Sequence, residues 1–384
     1  MWPFTRKPIE QKDIGSSAFD MLWPTAQTVT GQVITPELAL RQPTVLACTR
    51  IITETVGQLP LHTYTRGPDG SVERDTTSVF HRMFRQRPND WTTAYDFKVH
   101  MQADVLLHGN AYALIMRDGQ GNPRYLRKLP ARAVHVQEDP RTDAPAYRVT
   151  LNEGGDKTYS FRDVIHLKAL HGLSVVTQAR EAISMALAQE KELNQALSTG
   201  QRPNGFIAFE NPMTDDAISR AIKQFQQLGE KKGTAILDGG AKYSPISITN
   251  VDAQFLEQRR HQIAEIARAF RVPLHMLQEL ERVTHQNAEQ LGRQFLQFTM
   301  LPWLTLWQQE IALKLMPEDG SVYVEFLTDD IARADLAARY QAFAQAVQNG
   351  ILNPNEVRAM ENRAPYTGGD EFLRPLNMEG ATDA

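Results

Sequence analysis

Cysteine is almost absent from this chain of 384 residues, which contains only Cys48. A single thiol cannot form an internal disulfide or supply a cysteine-rich zinc site, and it fits a protein that works in a reducing compartment. Cys48 lies in the stretch "TVLACTRIITETV", where Val45, Ile52 and Val56 fall on the same helical stripe. We therefore interpret Cys48 as a core residue and not as a reactive thiol.

Long apolar runs are missing as well. No segment of the sequence approaches the roughly 18 consecutive apolar residues that a membrane-spanning helix needs. The amino-terminal stretch "MWPFTRKPIEQKD" has no continuous apolar centre of the kind found in a secretion signal. The sequence thus predicts no contact with a membrane, and a protein that is made and used in a cytoplasm-like compartment.

The common catalytic signatures are also missing. The chain has no G-x-x-x-x-G-K-[ST] phosphate loop, no G-x-S-x-G nucleophile elbow and no H-E-x-x-H metal motif. Its histidines His166, His171, His261, His275 and His285 have no cysteine or carboxylate around them at ligand spacing. We therefore expect no enzymatic activity, no cofactor and no metal ion.

The charge of the chain is slightly acidic, because 41 lysine and arginine residues face 45 aspartate and glutamate residues, for a formal net charge of −4. A classical nucleic-acid-binding protein would carry a basic face, so this balance argues against that class. Basic residues gather only in the short clusters "FRQRP", "EQRRHQ" and "RVTHQ". The length allows two or three domains with a sizeable core.

The first half of the chain predicts an α+β arrangement in which helices precede a sheet. Residues 1–35 are rich in Ser, Thr, Gln and Pro and form a predicted arm, after which a helix begins at Pro43. "LPLHTYTRGPDGSVERD" is typical of a β-hairpin, and two helices are expected at Val79–Arg85 and Ala94–Leu107, the second ending at Gly109. From Asn110 to Leu170 the pattern has period two and predicts antiparallel strands.

The second half predicts two long helices that flank a small β-α-β segment. Pro273 ends the second long helix, and a polar gap from Leu277 to Asn287 follows it. Another helix then begins, with an expected kink at Pro302, and leads to the strand "SVYVEFL". The carboxyl-terminal part is helical, and Asn353 is expected to cap its last helix.

The second long helix contains the charged stretch "FLEQRRHQIAEIARAFR". Its apolar stripe carries Ile263, Ile266 and Phe270, whereas charged groups occupy the other faces. One interpretation is a solvated face with pairs such as Glu257–His261 along the helix. The other is packing against a neighbouring subunit. The pattern favours neither. The candidate subunit-contact residues are Arg259, Arg260, Glu265 and Arg268.

Six stretches, taken in order, resemble the portal protein family of tailed double-stranded-DNA bacteriophages. They are "VITPELALRQPTVLACTRIITETVGQLPLHTY", "LLHGNAYALIMRDGQGNPRYLRKL", "VIHLKALHGLS", "IAEIARAFRVPLHML", "NAEQLGRQFLQFTMLPWLTLWQQEIALKL" and "NGILNPNEVRAMENRAPYTGGDEF". The resemblance covers about residues 30–375 and implies a dodecameric ring at one capsid vertex, through which DNA enters and leaves the head. This chain departs from longer family members in its short carboxyl terminus, which puts a large crown in doubt.

The resemblance also implies a division of the chain. The implied parts are an N-terminal arm (1–35), the first part of a wing (36–174), a stem helix (175–199), a clip (200–249), a second stem helix (250–272), a tunnel loop (273–287), the second part of the wing (288–328) and a helical, crown-like C-terminal region (329–384). The implied fold class is α+β, a portal fold with wing, stem, clip and short crown.

Two sets of residues follow from that division. The tunnel loop, which would project into the channel, carries Gln278, Glu279, Glu281, Arg282, Thr284 and His285. The clip, which would contact partners, carries Phe206, Phe209, Lys223, Lys231, Lys232, Lys242 and Tyr243. The implied partners are further copies of the chain, the terminase large subunit, a head–tail adaptor, the major capsid or scaffolding protein, and double-stranded DNA. The implied location is the portal vertex of the virion, with the host cytoplasm during assembly.

We expect Arg282 and His285 to touch DNA phosphates transiently, while Glu279 and Glu281 keep the wall from holding DNA. A channel lined by many cations would grip DNA tightly and obstruct its passage. Two alternatives stay open at this point. The chain could be a nucleic-acid-processing enzyme with an unrecognised active site, or a virion adaptor that binds protein alone.

Overall fold

The computed structural model describes residues 27–68, 71–150, 155–199, 205–208, 218–219, 242–245, 249–278, 291–328, 336–361 and 363–372. The chain forms two compact units, each described separately below. The first contains Pro43–Gln178 and the described residues from Ala267 onward, and the second contains Ala26–Gln42 and Ala179–Ile266.

The described residues combine helices with antiparallel sheets, so the fold class is α+β as predicted. The helices are α1 (Pro36–Ala39), α2 (Pro43–Gln58), α3 (Val79–His81), α4 (Ala94–His108), α5 (Val175–Gln178), α6 (Arg180–Thr199), α7 (Thr249–Phe270), α8 (Leu301–Leu315), α9 (Leu336–Gln348) and α10 (Pro354–Met360). The strands are β1 (Leu61–Arg66), β2 (Val72–Asp75), β3 (Asn110–Arg117), β4 (Pro123–Leu129), β5 (Val134–Glu138), β6 (Pro145–Thr150), β7 (Asp156–Ser160), β8 (Val164–Lys168), β9 (Gly205–Ala208), β10 (Lys242–Pro245) and β11 (Val322–Phe326).

Helix α2 begins at Pro43 as predicted and buries the expected stripe. Val45, Cys48, Ile52 and Val56 have no exposed surface. Each of these apolar side chains contributes on the order of 1.5–3 kcal/mol when it leaves water. Burial also raises the pKa of the Cys48 thiol to about 12, so the interpretation of Cys48 as a core residue is confirmed.

The predicted hairpin is confirmed, because β1 pairs with β2 in antiparallel register. The sequence did not reveal the other neighbour of β1. β11 pairs with it along its whole length, from Leu61 opposite Phe326 to Thr65 opposite Val322, and gives the sheet order β11-β1-β2. A strand near the end of the chain therefore completes a sheet that begins near its start.

The period-two segment forms strands as predicted, but the strands divide between two three-stranded sheets. Their orders are β4-β3-β8 and β5-β6-β7. One apolar core contains side chains from both sheets; its buried members are Tyr112, Leu114, Leu129, Val134, Tyr147, Val149 and Val164. Alternating strands bury one side of each sheet in this way.

Helix α4 agrees with its predicted bounds, and both ends have identifiable signals. The Thr93 side chain accepts the Asp96 N–H at 3.0 Å and caps the start. Gly109 ends the helix with a left-handed φ of 80°. A Cβ at Gly109 would lie 2.1 Å from the carbonyl oxygen of Gly172, so only glycine fits this close approach.

Two predicted helices are irregular. The segment expected as Val79–Arg85 is a short α3 followed by a π turn from Arg82 to Gln86. A second π turn, Leu296–Met300, lies immediately before α8, where the kink at Pro302 was expected. Proline lacks an N–H and its ring displaces the carbonyl four residues earlier, and a wider turn accommodates both effects.

Helix α8 packs through one apolar stripe that contains Leu304, Trp307 and Ile311, all nearly inaccessible to water. The indole N–H of Trp307 donates to Oε1 of Gln102 on α4 at 2.9 Å. The ring of Phe97 meets Trp307 edge-on with centroids 6.3 Å apart. This contact satisfies the polar atom of a large buried ring and fixes α8 against α4.

The second unit contains two long helices, α6 and α7. The helix expected over residues 175–199 is interrupted at Ala179, where α5 ends and α6 begins one residue later. Ser174 accepts the Thr177 N–H at 2.9 Å and caps α5 as a separate short turn. In the amino-terminal part of this unit, Gln27 bridges to Val33, and the Val29 N–H donates to Glu181 on α6 at 3.1 Å.

The carboxyl-terminal part is helical, with α9 and α10 as predicted. Asn353 accepts the Glu356 N–H at 2.8 Å, and the Glu356 carboxylate accepts the Asn353 N–H at 2.8 Å. This reciprocal pair is the predicted capping box, and Pro354 opens the helix. The Asn355 amide then donates to Asp370 at 2.9 Å and holds the following turn.

Candidate functional site

The predicted loop begins where α7 ends. Arg271, directly after the helix, adopts a left-handed φ of 56°, and the Val272 N–H donates back to the Ala267 carbonyl at 2.9 Å. Pro273 comes next and has no N–H with which to continue the helix. The local sequence therefore ends the helix by two independent means, as a sharp change of direction requires.

A single 3₁₀ turn, Leu274–Leu277, follows Pro273 and lies beside α2. Burial lowers the pKa of His275 in this turn. Gln278 ends the turn with a left-handed φ of 65° and is exposed. The other predicted loop residues, Glu279, Glu281, Arg282, Thr284 and His285, lie outside the described residues.

A residue of the π turn before α8 holds the start of the loop in place. The Thr299 hydroxyl donates to the Arg271 carbonyl at 2.6 Å. A cleft of about 360 Å³ lies there, lined by apolar groups such as Phe270, Leu170 and Trp303, with Arg271 as a polar group. The carbonyl that a left-handed residue would otherwise leave without a partner is thus satisfied, and the exit of the chain from α7 is defined.

The charged face of α7 is exposed. Arg259, Arg260 and Arg268 lie at the surface, and Glu265 is half-buried. His261 lies 3.9 Å from Glu265, and the expected pair with Glu257 stays a prediction. Exposed pairs of this kind contribute about 0.3–0.5 kcal/mol. The four candidate subunit-contact residues share one helix, and their role stays a prediction.

The segment predicted to contact partners is described at its two strands. β9 and β10 pair antiparallel, with Phe206 opposite Ser244, Tyr243 opposite Ile207 and Lys242 opposite Ala208. Phe209, Lys223, Lys231 and Lys232 lie outside the described residues, as does the predicted strand "GTAIL".

A buried polar network in the first unit was not predicted. His166 on β8 has Nε2 2.9 Å from Oδ1 of Asn110 and Nδ1 3.2 Å from the Tyr147 hydroxyl. Its backbone N–H donates to the Glu310 carboxylate of α8 at 2.9 Å. Since Asn110 already donates its amide N–H to the Gly172 carbonyl, Nε2 of His166 is the donor and Nδ1 accepts from Tyr147.

This arrangement requires a neutral imidazole. Burial, with Lys168 and Lys314 nearby, lowers the pKa of His166 to about 3. Burial raises the pKa of Glu310, which lies 3.8 Å from Nζ of Lys314. The network joins both sheets of the core to α8. Its only sequence signal was a histidine inside a period-two strand, a pattern that an ordinary surface histidine also gives.

Chemistry-bearing groups do not converge elsewhere in the described parts of the chain. These residues contain no group of three or more His, Cys, Asp and Glu side chains that could hold a metal ion. Among them, no helix combines the length and apolar character that a bilayer crossing demands.

The sequence matches the family described as "Phage portal protein" over residues 43–362. The match spans most of the chain, and the chain belongs to this family. It is 29% identical to the portal protein of Enterobacteria phage HK97 over 366 residues, covering 91% of this chain and 85% of that protein. It is 28% identical to a probable portal protein of Streptomyces phage phiC31, covering 92% of this chain and 82% of that protein.

Solved structures share the fold. A chain from the neck of an empty gene transfer agent particle, computed with C6 symmetry, superposes with a TM-score of 0.62 at 22% identity, covering 91% of this chain and 98% of that one. The neck of the native particle, computed with C12 symmetry, gives 0.61 at 22% identity, covering 90% and 94%. A crystal structure of an HK97 family portal protein from Corynebacterium diphtheriae gives 0.52 at 20% identity, covering 81% and 99%. The predicted portal fold is confirmed.

Proposed function

We propose that this chain forms the portal ring at one vertex of a tailed-phage capsid, the channel through which DNA is packaged and later released. The observation that carries the proposal is family membership across residues 43–362, to which the likeness to a neck chain of a C12 particle adds support. On this view the protein is structural and has no catalytic role. It would reside in the virion, after assembly in the host cytoplasm.

The described elements support the proposed division into parts. Helices α6 and α7 would be the stem, and the segment between them, with its β9–β10 pair, would be the clip. The sheets and helices of the first unit would be the wing, and α9 and α10 a small crown. The clip would contact the terminase large subunit during packaging and a head–tail adaptor afterwards, and the wing would contact the capsid or scaffolding protein.

The proposed tunnel loop would start at Pro273. The left-handed Arg271, the bond from Thr299 and the turn Leu274–Leu277 support a loop that leaves α7 in one fixed direction. An anchored start would keep the loop in the same position each time it touches the moving DNA.

Electrostatics supports a channel that does not hold DNA. Twelve copies at −4 carry a charge of about −48, so the assembled ring repels DNA overall. Any attraction must then be local, and we assign it to Arg282 and His285 in the proposed loop. Glu279 and Glu281 beside them would keep the contact brief.

Electron microscopy of the purified full-length protein, with its mass measured in solution, tests the ring. We expect rings of about a dozen subunits with a central hole. A compact dimer without a hole would overturn the proposal and favour an enzyme with a hidden active site. The other alternative, an adaptor that binds protein alone, predicts that no DNA passes through the assembly.

Replacing Arg282 with Ala tests the loop in particular. We expect rings to form in normal yield while the efficiency of DNA packaging changes, because the substitution removes one phosphate contact per subunit. Arg282→Lys keeps the charge and serves as the matched control. Packaging at the wild-type level in the Arg282→Ala variant would argue against a DNA contact at this residue.

A further inference from the structure

The structure brings together two basic stretches that lie about forty residues apart in the sequence. One is the first π turn with the residue after it, which contains Arg82 and Arg87. The other is the edge strand β4, which contains Arg124 and Arg127. The guanidinium of Arg82 donates to the Arg124 carbonyl at 2.8 Å and so joins the two stretches directly. The proposed function above gives no role to any of these four arginines.

A tyrosine organises the arginines of this region. The ring of Tyr125 has the guanidinium of Arg82 at 5.5 Å from its centroid and that of Arg124 at 5.3 Å. Contacts of a cation with an aromatic face contribute about 0.5–1 kcal/mol at exposed sites. They hold the guanidinium groups in place while leaving N–H donors at their edges for a further acceptor.

The neighbouring loop closes the free edge of β4 and presents a tryptophan. The Leu126 N–H donates to the Pro88 carbonyl at 2.9 Å, and the Asn89 amide donates to the Leu126 carbonyl at 2.9 Å. Trp91 follows in the same loop with 77% of its surface exposed. It lines a cleft of about 380 Å³ together with Arg127 and His100.

Most acidic groups near this surface have other contacts, and Asp90, next to Trp91 in the loop, is exposed. Asp104 forms an ion pair with Lys128 at 2.8 Å, and Asp96 accepts a hydrogen bond from the Thr93 hydroxyl at 2.7 Å. Arg124 attracts Asp118 only at longer range. Within the described residues, no carboxylate forms an ion pair with Arg87 or Arg127, both of which are exposed. A surplus of positive charge remains on a chain whose overall charge is negative.

We propose that this surface, formed by Arg82, Arg87, Arg124, Arg127, Tyr125 and Trp91, binds the phosphate backbone of DNA. Planar guanidinium groups bind phosphate oxygens through two parallel N–H donors, and the Tyr125 ring positions two of them for this. An acidic protein face would satisfy the cations equally well. The exposed indole beside them favours nucleic acid, because an indole can stack on a base. The surface lies in the first unit and contains none of the residues assigned to the channel.

The test uses full-length protein and a fluorescein-labelled DNA of 20 nucleotides, as a duplex or as a single strand. Binding is followed by fluorescence anisotropy between 50 and 200 mM salt. The double variant Arg124→Glu/Arg127→Glu reverses two exposed charges on β4. The control Arg141→Glu/Lys157→Glu makes the same change of net charge elsewhere, in the turn between β5 and β6 and on β7. Thermal unfolding checks the fold of both variants.

We expect the β4 variant to bind DNA at least about tenfold more weakly than the control variant at 50 mM salt. The slope of log K against log salt should fall by about 2, one for each lost phosphate contact. If Trp91 stacks on bases, Trp91→Ala should weaken binding of the single strand more than binding of the duplex. If the surface contacts phosphates alone, Trp91→Ala should change the affinity for the two forms of DNA to the same extent. Both results agree with the proposal, and they separate the two forms of DNA.

Three outcomes would overturn the proposal. The first is equal affinity for DNA in the β4 variant and its control. The second is competition by poly-glutamate as effective as that of unlabelled DNA of equal charge, which would identify an acidic protein as the partner. The third is loss of the same binding in Arg282→Ala, since binding would then reside in the proposed channel loop. None of these results depends on whether the chain forms a ring.

Discussion

Polar side chains in the core of the first unit differ from those on the exposed face of α7 in their exposure and in how completely they are hydrogen-bonded. In the core, His166 is half-buried and each of its ring nitrogens has a partner. On α7, Arg259 and Arg260 are exposed, and the ion pair of His261 with Glu265 is long. Buried networks make large contributions when complete and are costly when one member is lost, whereas exposed pairs contribute little.

The core residues keep the subunit folded, whereas the exposed residues of α7 are accessible to another molecule. A residue whose removal unfolds the protein cannot be altered freely to suit a partner, whereas an exposed arginine on a long helix can. We therefore expect substitutions in the core to lower stability in every state of assembly, and substitutions of exposed residues on α7 to change stability little.

The largest loss of stability is expected from Gly109→Ala. The alanine would need a left-handed φ, and its Cβ would meet the backbone of Gly172 at 2.1 Å. Together these effects should cost about 3–5 kcal/mol of the free energy of unfolding, measured by urea denaturation. In the control Gly121→Ala, φ is also positive, but nothing lies within 4 Å of the added Cβ, so only about 1 kcal/mol should be lost. Equal losses in the two variants would show that the close approach to Gly172 is unimportant.

The next effect is a dependence of stability on pH that involves His166. The unfolded imidazole binds a proton near its ordinary pKa of 6.5, whereas the folded one does so only at about 3. Between these values the unfolded chain binds more protons, so the free energy of unfolding falls as the pH falls from about 6.5 towards 3. Tyr112, Tyr147, Asn110, Lys168, Lys314 and Glu310 surround the ring, and Glu310 and the two lysines carry its nearby charges.

Thermal unfolding between pH 7 and pH 4 measures this dependence. His166→Leu should lower Tm at pH 7, since the Tyr147 hydroxyl and the Asn110 carbonyl lose their partner at a cost of about 1–3 kcal/mol. It should also flatten the pH profile. His135→Leu replaces an exposed histidine on β5 and should leave both unchanged. A His166→Leu profile as steep as that of the wild type would locate the pH dependence elsewhere.

The smallest effect on stability, within about 0.5 kcal/mol, is expected from Arg259→Glu, because the side chain is exposed. If α7 packs against a neighbouring copy, the variant should nevertheless form fewer rings, counted by electron microscopy at equal protein concentration. Arg259→Lys keeps the charge and should form rings normally. Wild-type ring yield in Arg259→Glu would favour the solvated-face interpretation and extend the contrast with the core.

Local signals account for most of the elements that the sequence predicted. Pro43, Gly109 and the Asn353–Glu356 pair each act within one turn of the chain, so the neighbouring sequence was enough to predict the helix ends that they set. The pairing of β11 with β1 and the division of the strands into two sheets depend on contacts between distant residues. Periodicity shows which side of a strand is buried and does not name its neighbour.

The candidate site was predictable to a smaller extent. Pro273 marks the end of α7 in the sequence, whereas the bond from Thr299 to Arg271 joins residues 28 positions apart and gives no local signal. The network around His166 was missed for the same reason, since its partners come from β3, β6 and α8. Of the basic surface, only Arg87 belongs to a basic cluster visible in the sequence, "FRQRP". The fold brings Arg124 and Arg127 of β4 to the same region, and no local signal shows this.

The pairing of β1 with β11 has a consequence for synthesis of the protein. Leu61 leaves the ribosome long before its partner Phe326, so one edge of β1 stays without its strand while most of the chain is made. Contacts between residues so far apart in sequence form slowly, and an open strand edge attracts other strands. Completion of this sheet late in translation would therefore delay a subunit's readiness for assembly until nearly all of it exists.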